Sequence, residues 1–282
     1  MQSFRLLKEI RAQNRFILNE FKRVNETIRY QMLGDFPLSY EDVVQTHSSF
    51  DYQWGEISNG IAMSDDQKFM EVITSLLCKI TDLSESWFPG KKVVDAGCGG
   101  GRFSYGLLAL GATVVGCDQS LLALDRTRDL CRPYADRLST KQVDLLKWEE
   151  TETYDLIFCF GVVHHTGNTY LGIRNLSRKV KKGGRLFLMV YGFPETYHDF
   201  TEINQHETLR SQLHQLTFEE KRKVLVEKFG PYLAHGWFDA TSPRINDLLT
   251  FDEIATLLTR LGFKNVKRTM PGRNHHIVAD KT

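Results

Sequence analysis

Residues Val93 to Arg102 read VVDAGCGGGR. Two β-branched residues lead into an acid, Asp95, and glycines occupy positions 97, 99, 100 and 101. Phe103 to Leu110 follows as a run able to start a helix. Strand, tight glycine turn and helix make the plan of a nucleotide site in an open α/β sheet. Glycine lets the backbone turn sharply and lets a ligand touch main chain where a Cβ would collide. The first amides of the helix then point at whatever sits above the strand end. The dinucleotide pattern G-x-G-x-x-G needs glycine at 102, where Arg102 stands, and no Gly-Lys-Ser/Thr of a P-loop follows. The spacing present is acid-x-Gly-x-Gly-x-Gly, from Asp95 through Gly97, Gly99 and Gly101.

A second stretch, ATVVGCD from Ala112 to Asp118, lies at the distance a βαβ unit requires and again ends a strand in an acid. Onward, strands are expected at 91–96, 113–118, 139–143, 154–160 and 184–191, with helices at 101–110, 120–132 and 167–181 between them. Strands separated by helical patterns of ten to fifteen residues imply a parallel sheet with right-handed crossovers. Gly183-Gly184 is expected to end the helix before the fifth strand. Residues 192–250 break the alternation with an expected helix at about 205–229 and a turn-rich segment from Gly230 to Asn246. Helix 250–261 and a hairpin of strands 263–269 and 274–280 close the chain.

The two acid-ended strands together resemble motif I and the following acidic position of class I S-adenosylmethionine (SAM) methyltransferases, of the type-11-like group that acts on bacterial small molecules. VKKGGRLFLMVY (180–191) resembles that family's segment before strand five, with lysine where the family usually has proline. The resemblance is firm over about 90–190 and looser over 250–280. It implies a doubly wound, mostly parallel seven-stranded sheet in order 3-2-1-4-5-7-6, Rossmann-like, with an N-terminal helical arm and aromatic segment (1–62), a SAM-binding domain (63–282) and a lid insertion at 192–250. It implies SAM as cofactor, contacted by Asp95, Gly97, Cys98, Gly99, Gly101, Asp118, Gln119, Asp144, Leu145 and Phe160. In the family the second acid holds the ribose hydroxyls, which here is Asp118, and Asp144-Leu145 falls where the adenine amino group is met.

The acceptor side is less determined. Gly161 to Thr166, GVVHHT, follows the fourth strand, and the family often carries a similar pair of histidines there. Adjacent residues on an extended chain point apart, and no partner at ligand spacing follows, so no metal site is expected. One of His164 and His165, with His165 the closer to the rim, is expected to act as general base or substrate clamp, since imidazole titrates near neutrality; the rival is that both only shape the strand end. Candidate acceptor contacts are Tyr52 and Trp54, in the aromatic stretch SSFDYQWG (48–55), and Tyr191, His198, His235, Trp237, Asp239 and Arg244. Residues 34–62 otherwise read as irregular after Gly34 and Pro37, with Ser64 expected to cap a helix over 64–80.

Composition bounds the remainder. The chain of 282 residues carries a formal net charge of +1 and 25% charged residues, which argues against a chain-wide basic footprint for nucleic acid. Five cysteines without a C-x-x-C pair suit buried thiols in a reducing compartment. No stretch is long and apolar enough for a spanning helix, and the N-terminus lacks the apolar core of a secretory signal, so a cytoplasmic protein is expected. Over 4–30, Leu7, Ile10, Asn14, Ile17, Phe21, Val24 and Ile28 alternate by three and four, a helical stripe expected to pack on its own domain, with a homodimer seam or a membrane-surface helix as the rivals. The reading that follows is a methyltransferase acting on an oxygen or nitrogen of a small molecule, in a natural-product or glycan pathway. The alternatives are an RNA or protein methyltransferase and a non-catalytic SAM-binding subunit.

Overall fold

The computed structural model describes residues 40–56 and 66–282. The expected helix at 4–30, its stripe, and the Ser64 cap lie outside these residues. Seven strands form one sheet in the order β3-β2-β1-β4-β5-β7-β6. They are β1 (Lys92–Ala96), β2 (Thr113–Asp118), β3 (Leu138–Gln142), β4 (Tyr154–Phe160), β5 (Val180–Val190), β6 (Phe263–Arg268) and β7 (His275–Lys281). The first five are parallel; β7 runs antiparallel between β5 and β6. This is the doubly wound sheet and strand order that the sequence implies.

Strand residues alternate between two cores. Val94, Ile157, Leu186 and Leu188 face one side, packed with Ile173 and Leu176 of α5 (Thr169–Arg178) and Ile254 and Leu258 of α8 (Phe251–Arg260). Val93, Leu156, Phe158 and Phe187 face the other, with Phe69, Ile73 and Leu77 of α2 (Asp66–Thr81) and Leu107 and Leu108 of α3 (Arg102–Ala109). Near-continuous apolar runs are what strands covered on both faces require. Side chains fix the helix starts: Ser120 accepts from Ala123 N at α4 (Leu121–Leu130), and Thr250 with Glu253 forms a capping box at α8.

Three expectations need correction. The stretch ahead of the first strand is not irregular at 40–56: it is α1 (Tyr40–Glu56). Helical spacing splits the aromatic cluster: Phe50 and Trp54 share one face with Thr46 and Gln53, and Tyr52 turns to a different neighbour, Phe218. Second, Gly183-Gly184 does not end a helix. Helix α5 stops at Arg178, β5 starts at Val180, and one residue of β4, Asp155, faces four of β5, 181–184, between the Tyr154–Val180 and Leu156–Arg185 pairs. The lysine-glycine stretch is therefore a bulge in a strand, with Lys181 Nζ 3.3 Å from Asp155. Third, the insertion holds α6 (Tyr197–Leu213) and α7 (Phe218–Thr241), and α7 breaks at Gly230 but resumes as helix to Thr241. Gly230-Pro231 reads as a turn locally. Proline at the first position of the resumed helix lacks only a donor that would have had no intrahelical partner. Helices α6, α7 and α1 share a third core around Leu209, Leu213, Leu225 and Phe238.

Candidate active site

The glycine turn is tied down by its neighbours. Gly97 and Cys98 donate to Cys117 O at 2.7 and 2.9 Å, and Thr127 Oγ1 donates to Gly99 O at 2.8 Å. Gly97 and Gly99 have φ of 79° and 52°. A Cβ on Gly97 would lie 2.2 Å from Val162, and one on Gly99 would lie 2.4 Å from the Trp54 ring. The turn is thus bare because the β4 exit loop and the α1 indole close on it.

Asp95 lies beneath this turn. Its Oδ2 accepts from Ser104 Oγ at 2.7 Å, and burial pushes its carboxyl up to about 7. It does not line the cavity above; the loop and α3 are what it holds. Asp118 stands at the end of β2 and does line the cavity. Its Oδ2 accepts from Gly99 N and its Oδ1 from Ser120 N, each at 2.9 Å. Burial raises its carboxyl above the ordinary range, while backbone N–H groups of Ser120, Gly99 and Gln119 oppose that rise. Each oxygen keeps further acceptor capacity toward the cavity.

That cavity has a volume of about 750 Å³ and opens over the carboxyl ends of β1 to β4, where open α/β sheets bind ligands. Gly97, Cys98, Asp118, Gln119, Asp144, Leu145 and Phe160 all line it; Gly99 meets it through its amide on Asp118, and Gly101 instead packs on Thr127. Asp144 accepts from Leu146 N at 2.9 Å and pairs with Lys147 at 3.1 Å. The strand ends thus offer two carboxylates, bare main chain and an aromatic ring, a set suited to a nucleoside joined to an amino acid.

The facing wall comes from α1, α7 and the β4 exit loop. Within Val163–His165, a short 3₁₀ turn, the two histidines part company. His165 lines the cavity; its Nδ1 lies 2.8 Å from Ile245 O and its Nε2 has no partner among the described residues. The carbonyl can only accept, so Nδ1 carries the proton and Nε2 the lone pair. Burial lowers the His165 pKa, against Asp239 and the Ile245 bond, which raise it. His164 is fully buried behind this wall, its ring 4.0 Å from that of Tyr191 and 4.1 Å from that of His165, and it does not line the cavity.

Of the candidate acceptor contacts, Trp54, His235 and Asp239 line the cavity. The others are placed elsewhere. Tyr52 packs in the third core on Phe218 and Phe238, at 5.6 and 5.7 Å. Tyr191 sits behind the wall and donates to Asp239 Oδ2 at 2.8 Å. Arg244 turns outward to Asp42 at 3.2 Å. His198 is exposed on α6, and Trp237 stacks on Phe229 at 4.2 Å, outside the cavity. Phe50, read only as part of the aromatic stretch, also lines the cavity; residues missed by sequence reasoning are Thr46, Asp51 and Gln53 of α1, and Arg102, whose guanidinium lies 4.5 Å from the Phe103 ring centre. The three-and-four spacing of the α1 residues was the available signal.

Residues 94–186 match the family model described as a methyltransferase domain. The chain is 29% identical over 188 residues to the ubiquinone biosynthesis O-methyltransferase of Glaesserella parasuis, covering 58% of this chain and 79% of that one. It is 34% identical over 100 residues to the enzyme of the same name from Pseudomonas fluorescens, and there it spans 43% of the relative's length. Among solved structures, magnesium protoporphyrin IX methyltransferase of Synechocystis PCC 6803, determined with bound SAM, superposes with a TM-score of 0.52 at 16% identity, covering 88% of this chain and all of that one. Strand order, glycine turn, the acid closing β2 and the methyltransferase-domain match over residues 94–186 converge on a class I SAM-dependent methyltransferase.

Proposed function

We propose that the cavity seats SAM at its strand-end side, and that the chain transfers the methyl group to an oxygen or nitrogen of a small molecule held against His165. SAM supplies a methyl carbon on a sulfonium whose leaving group is already activated. The protein's share is alignment, exclusion of water and removal of a proton from the nucleophile. On this reading Asp118 holds the ribose hydroxyls, Asp144 and Leu145 meet the adenine, and the Gly97–Gly99 main chain lies along the methionine portion. Carboxylates after two adjacent strands, β2 and β3, with the bare backbone of the β1 turn beside Asp118, support this orientation. A natural-product or glycan pathway is the proposed setting.

The observation that carries the reading is the unpartnered Nε2 of His165 on the wall of the same cavity. The acceptor's proton passes to that nitrogen as the nucleophile attacks, and the imidazolium keeps its Nδ1–H on Ile245 O. Val162, three residues earlier, abuts Gly97, so the base and the methionine end of the cofactor share one loop. The test is calorimetric titration of SAM into wild type and Asp118→Ala, paired with methyl transfer from labelled SAM to a panel of hydroxylated and amino small molecules. Tight binding that drops about tenfold or more in the variant is expected, from losing hydrogen bonds to a charged group. Unchanged affinity in a folded variant would falsify the ribose role. Binding without turnover on any acceptor would point instead to a SAM-binding subunit.

A further inference from the structure

One charged side chain in the cavity is used by nothing above. Arg102 is the first residue of α3 and the one lysine or arginine among the described residues that line the cavity. Its side chain makes no ion pair and no hydrogen bond among the described residues. The guanidinium stands against two rings instead, 4.5 Å from the centre of Phe103 and 6.0 Å from that of Phe160. The residue keeps accessible surface, yet dense protein around it lowers its pKa, against Asp95 and Asp239, which raise it. Arginine stays charged in such a setting. Its five N–H donors are therefore left to water or to a ligand.

The surroundings set the charge of that ligand group. Asp51, Asp118, Asp144 and Asp239 line the same cavity. A dianion such as a phosphate monoester would meet one cation and four acids. A carboxylate carries a single charge, and its two oxygens match the fork of a guanidinium in a bidentate pair. Position leaves two sources for it. Arg102 follows Gly99 by three residues, and on the reading above the methionine portion of the cofactor, which ends in a carboxylate, lies along that turn. Asp239, on the facing wall, acts by its charge on both Arg102 and His165, so the guanidinium also borders the acceptor's share of the cavity. We infer that Arg102 binds a ligand carboxylate in this cavity, supplied by the cofactor's methionine portion or by the acceptor. The inference rests on the cofactor reading above.

The test uses the full chain and two pairs of ligands, the members of each pair differing at one carboxylate. S-adenosylhomocysteine (SAH) is compared with its decarboxylated analogue by calorimetry. Benzoate is compared with benzamide by NMR on the SAH-saturated protein, the ring chosen to suit Phe50, Trp54 and Phe160 on the cavity wall. In one pair the carboxylate form is expected to bind about 10- to 100-fold more tightly, the span for hydrogen bonds to a charged group. In Arg102→Met that ratio collapses toward one because the carboxylate form alone weakens; unchanged binding of its partner shows that the site is intact. Arg102→Lys, which keeps the charge and loses the fork, retains part of the ratio. Collapse in the SAH pair assigns the carboxylate to the cofactor, and collapse in the benzoate pair assigns it to the acceptor. SAH binding with no preference in either pair, or with preferences that Arg102→Met keeps, would overturn this inference alone. Failure of wild type to bind SAH would overturn the cofactor reading.

Discussion

At the scale of single residues, protonation states carry the sharpest expectations. His165→Ala should lower turnover about 10²–10⁴-fold, the range for lost acid–base catalysis, with SAM affinity kept; a loss of acceptor binding with turnover preserved would make it a clamp instead. Burial holds the His165 pKa below its ordinary value, so the imidazole is neutral at pH 7 and the acid limb of the rate profile should fall below about 6.5. Asp95 gives the opposite kind of expectation. Its carboxyl is pushed up to about 7, so between the unfolded value near 4 and about 7 the native state holds a proton that the unfolded chain has released. Stability then falls as pH rises through that window and levels above it, by an amount on the order of 3–4 kcal/mol. Asp95→Asn should flatten that slope in denaturant titrations at pH 5, 6, 7 and 8. A wild-type slope of zero would place the buried charge on another group.

Among elements, the approach of α1 to the glycine turn is the contact most open to test. Gly99→Ala puts a methyl into the Trp54 ring, so α1 must shift or the turn must. Blue-shifted indole emission should be lost, and SAH affinity should fall, in a protein whose melting profile stays cooperative. Thr250→Ala removes a capping-box oxygen from α8 and should cost about 1 kcal/mol with no effect on SAH binding. These elements also show where sequence reading succeeds. The strands of the first half were legible because Asp95 and Asp118 close apolar runs that cannot be anything but buried strands, and because glycines mark the turns. The bulge at Lys181–Gly184 was not, since two glycines after two lysines carry the same signal as a helix end. Nor was α1, whose face shows only when Thr46, Phe50 and Gln53 are counted together against the breaking force of Gly34 and Pro37. The sequence favoured His165 over His164 only by its place farther along the loop, because the partner that fixes its ring, Ile245 O, lies eighty residues later.

Over the whole molecule, no described helix is long and apolar enough to cross a membrane. The strand-end side of the cavity is drawn from the strand ends and loops between Gly97 and Phe160. The facing wall is assembled from distant parts of the chain. Gln45 Nε2 donates to Ser242 O, Arg244 N donates to Gln45 Oε1 and Ile245 N donates to Thr46 Oγ1, across 197, 199 and 199 residues; Gln53 meets His235 across 182. Closing loops of that length is slow and must precede any contact that rewards it. On a ribosome, then, β1 to β4 are complete long before α7 emerges, and the early part of the domain has its partners in hand. During refolding from denaturant, protection of β1–β4 amides from hydrogen exchange should therefore appear in an earlier phase than protection of α1. The wall of the cavity that faces the strand ends is thus expected to be the last part of the molecule to come into being.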